Sequence, residues 1–255
     1  MKPDSDLEFV DLGEAFDAGL LDAAYREVYL PAFPVRDEQE DPSIWIPRLQ
    51  DPDANPRLAW LVAGTALADP ARRQVLGLLV GEYYAASRCV LISYVAVAAA
   101  ARGRGLGRQL FDALRRSLES GRLSGGKTVL AVLAEIHDPA AIAATEDVLD
   151  PQARLRVMAR LGGMRVPVTY LQPPLGPGQS AAGGLWLIAF PELAPAAPPL
   201  SAGTVRAFLV EFYRELGSAE PERDPLYAAT FASVDALAGR HSLLEPLIDE
   251  QPAAA

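Results

Sequence analysis

Residues 90–118 read VLISYVAVAAAARGRGLGRQLFDALRRSL, and the fold turns on this stretch. Val90, Leu91, Ile92, Val95 and Val97 have the apolar, β-branched character of a buried strand, which runs out into small alanines. Arg102-Gly103-Arg104-Gly105-Leu106-Gly107-Arg108 follows at once. Leu106, Leu110, Phe111, Leu114 and Leu118 then recur on one side of a helix. A strand, a glycine-rich turn and a helix therefore succeed one another without a gap. The first amides of a helix have no partner inside it, and its N-terminus carries partial positive charge. Glycines let a ligand approach that backbone closely, and arginines add full charges. The stretch predicts an anion cradle, best suited to phosphate.

Two other phosphate motifs are excluded by context. Gly103-x-Gly105 begins like a dinucleotide fingerprint, but the third glycine falls on Arg108. Gly121-Arg122-Leu123-Ser124-Gly125-Gly126-Lys127-Thr128 matches the P-loop formula letter for letter. A P-loop follows a strand and opens a helix, whereas this segment follows a helix and opens a strand predicted over Thr128–Ile136.

Arg102, Gly105 and Gly107 in the order Arg-x-x-Gly-x-Gly, at a strand-to-helix turn, resemble the acetyl-CoA motif of the GNAT superfamily of N-acetyltransferases. The resemblance extends over about residues 58–191. It implies an α/β (α+β) fold: a mixed, mostly antiparallel sheet, flanked by helices, whose central parallel pair splays apart. It also implies that acetyl-CoA lies with its pyrophosphate on Arg102, Gly103, Arg104, Gly105, Leu106, Gly107 and Arg108, and its pantetheine arm along Val95, Ala96 and Val97. The second strand of the splayed pair would end at Glu135 and His137, which point to one side if the strand persists that far. Many relatives carry asparagine at the position of His137, and a tyrosine that protonates the departing thiolate where this chain has Met158. Tyr170, Tyr94, Tyr83, Tyr84 or solvent would then have to serve.

Catalytic candidates are Glu135, His137 and Glu82, in that order. Glu82 shares a strand face with Leu76, Leu78, Val80 and Tyr84. Apolar surroundings would raise its pKa and suit a general base, while an edge position would leave it solvated. His137-Asp138-Pro139 also reads as an ordinary strand-ending turn. The acids Asp37, Glu38, Glu40 and Asp41 either hold an amine or form a solvated loop. Cys89 stands at the wrong end of its strand for a covalent acetyl route, so direct transfer to a small-molecule amine is expected. A non-catalytic acetyl-CoA sensor, or an interaction protein on the same fold, is the alternative.

The formal net charge of −10 opposes nucleic acid and anionic membranes as partners. One cysteine and two histidines make a disulfide framework or a metal centre poor fits. The acidic start MKPDSDLEF lacks the basic and apolar runs of a signal peptide, and a cytoplasmic location is expected. Helical spacing from Phe16 to Tyr29 predicts a helix ending before Pro31, and another over residues 152–161. The acetyltransferase-like domain is expected over residues 1–192, with a helical extension over residues 200–250. That extension, too short to fold alone, would pack on the domain or on a second copy of the chain. The terminal Pro252-Ala-Ala-Ala is expected to be disordered.

Overall fold

The computed structural model describes residues 6–141 and 150–248. Residues 140–150, a longer connection than the resemblance calls for, and the tail from Pro252 fall largely or wholly outside these residues. One eight-stranded sheet runs in the order β1-β2-β3-β4-β5-β7-β6-β8. Its strands are β1 (Glu8–Asp11), β2 (Arg57–Thr65), β3 (Gln74–Tyr84), β4 (Cys89–Val97), β5 (Ala131–His137), β6 (Met164–Gln172), β7 (Ala182–Ala189) and β8 (Glu245–Pro246). Neighbours are antiparallel except β4 and β5, which are parallel and joined through helix α4 (Leu106–Glu119). This is the mixed, GNAT-like sheet with a central parallel pair that the resemblance implied.

Period-two alternation sends the strands' side chains to two cores. Val90 and Ile92 of β4, with Val132, Ala134 and Ile136 of β5, meet Leu106, Leu110 and Leu114 of α4. Leu155 of α5 (Pro151–Arg160) joins the same layer. On the opposite face lie two clusters side by side. One holds Leu20, Leu21 and Trp45 from α1 (Ala18–Ala24) and α3 (Pro42–Gln50). The other holds Phe208, Phe212 and Tyr213 of α6 (Ala202–Glu215) and Phe231 of α7 (Ala228–Asp235), packed on Leu91, Leu133 and Leu187. Fully burying a side chain of this size stabilises by ~1.5–3 kcal/mol, so the C-terminal helices share the core's energetics.

Three local expectations need correction. The first helix does not stop before Pro31: α1 continues through a π-turn at Tyr25–Tyr29 into α2 (Leu30–Ala32). The π-turn bonds Leu30 N–H to the carbonyl of Tyr25, five residues back, and this wider turn gives the proline ring room within a helix. The strand expected from Thr128 begins at Ala131, because the P-loop look-alike before it folds as a helix-to-strand loop closed by Gly126 N–H on the Gly121 carbonyl at 2.8 Å. Within the extension, a second helix expected over residues 224–238 is shorter, since Pro225 starts a separate 3-10 turn before α7. No described helix is long and apolar enough to cross a membrane.

Candidate functional site

Strands β4 and β5 are paired from Cys89↔Ala131 to Ile92↔Ala134 and then part. Beyond that point β5 pairs only with β7, through Glu135↔Leu187 to His137↔Leu185, while β4 continues alone on this side to Val97. Ser93 is the cause. Val80 faces Tyr94 and Gly81 faces Ile92, so Ser93 is an extra residue, a β-bulge that bends its strand. The bulge also flips the alternation. Before it the even residues Val90 and Ile92 face α4; after it the odd residues Val95 and Val97 do. Val95, Ala96 and Val97 thus line an opening whose backbone edge has no strand partner on the β5 side, a surface suited to an extended, amide-bearing arm.

The cradle lies at the end of that opening. Gly103 and Gly105 have φ of +76° and +80°, a region that side-chain-bearing residues avoid. Gly105 is the N-cap of α4 and brings no side chain to it. Among the described residues, no backbone carbonyl takes a bond from the amides of residues 103–108; the first such bond in the helix is Gln109 N–H to the Gly105 carbonyl. A Cβ built on Gly103, Gly105 or Gly107 meets nothing within 4 Å, so these positions face open space. Buried Leu106 anchors the turn, while Arg104 and Arg108 are exposed. Arg102 is turned back, its Nε donating to the Val97 carbonyl at 3.1 Å, and so braces the strand end. Free amides, a helix N-terminus and two open guanidinium groups fit a diphosphate, and the fourteen-residue helix behind them is long enough for a substantial terminal field. Gly105→Val is accordingly expected to abolish stabilisation by acetyl-CoA. Ligand at a hundredfold excess over its Kd adds ~2.7 kcal/mol to a protein that binds it, a shift readable by thermal melting. A variant that keeps the full shift would refute the cradle.

A group of carboxylates occupies the opposite face of the sheet, at the seam between the α1/α3 and α6/α7 clusters. Glu82 is 4% exposed, deep in the sheet, and its Oε2 accepts from the Tyr84 hydroxyl at 2.8 Å. Its Oε1 stands 3.7 Å from Arg48 Nη1 of α3. The solvated-edge reading of Glu82 is therefore excluded. Glu40, from the acidic loop, is also buried, with Oε2 accepting from Trp45 Nε1 at 3.1 Å. Burial raises the pKa of both carboxyls, that of Glu40 further through the charge of Glu82. Glu135 accepts from the Tyr170 hydroxyl and, at 2.9 Å, from Gln172 Nε2. Burial pushes its carboxyl up to about 7, against those two hydrogen bonds. The three acids surround one small cavity with Arg48, Ser93 and Gln172.

His137 does lie in β5, but its ring is engaged at both nitrogens. Nδ1 is 2.8 Å from Arg154 Nη1 of α5, and Nε2 is 2.8 Å from Glu38 Oε1. Guanidinium can only donate, so Nδ1 is the acceptor and Nε2 carries the hydrogen directed at Glu38. The imidazole is a strut between the acidic loop and α5, with its basic lone pair already in use. Three of the four tyrosines that the sequence offered as acids are also committed, and the fourth, Tyr83, lies in the α4-side core. The hydroxyls of Tyr170 and Tyr84 bond Glu135 and Glu82, and Tyr94 donates to the Glu38 carbonyl at 3.1 Å. Burial holds all three well above the ordinary tyrosine range, so they remain donors. Met158 packs against the α4-side core. Cys89 is buried, and its thiol is pushed up to about 12, which makes it a poor nucleophile.

Sequence reading missed the site roles of Glu40, Arg48 and Gln172. Glu40 was seen only as one acid among four, and the single available signal was its spacing of five residues from Trp45, whose indole needs a buried acceptor. Nothing near Gln172 announces it. The acidic loop is fastened from across the site by Gln179 of the β6–β7 loop, whose Nε2 donates to the carbonyls of Arg36 and Gln39 at 2.7 and 2.8 Å.

The family model for acetyltransferases (GNAT) matches residues 22–146. Comparison with curated proteins finds no match. Among solved structures, the chain is similar to a putative GNAT-family acetyltransferase from Bacteroides thetaiotaomicron, with 14% identity, coverage of 80% of this chain and 92% of that one, and a TM-score of 0.47. It is similar also to a putative acetyltransferase from Acinetobacter baylyi, with 16% identity, coverage of 78% and 98%, and a TM-score of 0.46. A third is the ribosomal-protein-S18-alanine N-acetyltransferase of Escherichia coli, with 13% identity, coverage of 72% and 92%, and a TM-score of 0.44. From the family match over residues 22–146, which spans the bulged strand, the glycine turn and the parallel β4–β5 pair, the chain carries an acetyltransferase domain of the GNAT family.

Proposed function

We propose that this protein is an N-acetyltransferase that moves an acetyl group from acetyl-CoA directly to the amine of a small acceptor. One observation carries this reading: Glu135, a desolvated carboxylate titrating near neutrality, stands one residue beyond the last paired position of the splay. An alkylamine has a pKa near ~10.4 and must lose a proton before it can attack. Glu135 takes that proton. The nitrogen–carbon bond forms, the carbon–sulfur bond breaks, and coenzyme A leaves as thiolate, which solvent protonates. Acetyl-CoA supplies the activated acyl group. The chain's residues hold its diphosphate at Gly103–Arg108, lay its arm along Val95–Val97 and desolvate the acceptor. Buried Cys89 favours direct transfer over an acetyl-enzyme.

The test is release of free coenzyme A thiol from acetyl-CoA with a panel of small amines and with peptides bearing free N-termini. Thiol release with small amines is expected. Release with peptides alone would overturn the small-acceptor reading. The presence of Met158 where relatives have tyrosine favours a second reading, a sensor that binds acetyl-CoA without turning it over. A thermal shift with acetyl-CoA and no thiol release from any acceptor would establish that one.

A further inference from the structure

Among the described residues that line the cavity at the seam, two acceptors are unpartnered against one unpartnered hydroxyl, Ser93 Oγ, which has a single hydrogen to give. Gln172 is 8% exposed, and its Nε2 is spent on Glu135, which leaves its Oε1 as an acceptor with no partner among the described residues. Glu82 Oε1 is likewise buried without a hydrogen bond, its nearest cation being Arg48 at 3.7 Å. Both residues line the same space, together with Glu40 and Glu135. A buried acceptor left unmatched keeps the full cost of its lost hydration, so a donor belongs there. The space is ≈ 30 Å³, room for one head group the size of a water molecule. Its walls include Leu91, Leu175, Phe212 and Leu216, apolar surfaces suited to methylenes. An ammonium offers three donors and no acceptor, which is the complement of these oxygens.

We propose that this cavity seats the ammonium head of a slender, unbranched alkylamine, with Glu82 and Gln172 as the residues that select it. The inference rests on the reading of the acceptor as an amine, and it narrows that acceptor to a terminal primary amine on a methylene chain. The α-amino group of a peptide carries a branched carbon, bulkier beside the nitrogen than a methylene. An arylamine is uncharged at neutral pH and too broad. Because Phe212 and Leu216 belong to α6 and the residue after it, the C-terminal extension forms part of the acceptor site.

Binding is measured by titration calorimetry on the full chain without acetyl-CoA, using n-butylammonium, its N,N,N-trimethyl analogue, aniline and an N-terminally free dipeptide amide. Butylammonium is expected to bind, and the quaternary analogue, which has no N–H to give, at least about tenfold more weakly. Gln172→Leu is expected to weaken butylammonium binding while leaving the acetyl-CoA thermal shift unchanged, which also shows that the variant is folded. Equal binding of the quaternary ion, or no binding of butylammonium, overturns the seat. The two readings fail separately. Thiol release with arylamines or dipeptide amides but not with butylamine retains acetyl transfer and removes the seat; butylammonium binding without thiol release from any amine does the reverse.

Discussion

Glu135→Gln is expected to lower turnover about 10²–10⁴-fold, the range for loss of a positioned general base, while the acetyl-CoA thermal shift persists. The amide keeps the shape and can still bond Tyr170 and Gln172, so the fold has little reason to change. The pH profile gives the sharper result. Only the ionised carboxylate accepts a proton, and its pKa lies near 7. The wild-type rate should therefore fall tenfold per unit as pH drops below that value and level off above it. In the variant the amine must deprotonate in solution, so the rising limb should move toward the acceptor's own pKa, near ~10.4. Full activity with an unchanged profile would eliminate Glu135 as base.

A second large effect is expected at Phe208, far from the chemistry in sequence. Its ring is fully buried, stacked on Phe212 and edge-on to Tyr84, each at 5.5 Å between centroids. Phe208→Ala is expected to cost about 3–5 kcal/mol and to lower the single melting transition by roughly 10 °C. We propose that the helical extension and the sheet unfold together. Glu211 supports this, because its buried carboxylate accepts from the amides of Ala86 and Ser87 in the β3–β4 turn at 2.9 and 2.7 Å. Two separate transitions, with the sheet's unmoved by the substitution, would show instead that the helices are an independent appendage.

The residues that determined the fold by sequence alone are those whose interactions are local. Strand periodicity over residues 90–97, positive-φ glycines at Gly103 and Gly105 and the amphipathic repeat from Leu106 to Leu118 each act within a few positions, so the strand–cradle–helix unit was legible. The position of Glu135 near the end of a strand, beyond the last β4–β5 pair, was legible too. What the tertiary structure decided is set by contacts between distant segments. The bulge at Ser93 has no residue signature and arises from how β3 and β4 register. The pairing of Nδ1 with Arg154 and Nε2 with Glu38, which turns His137 from a candidate base into a strut, joins residues 17 positions apart with a loop a hundred residues earlier. Burial raised the pKa of Glu40, Glu82 and Glu135 together, since desolvation depends on everything packed around a group and not on its neighbours in the chain.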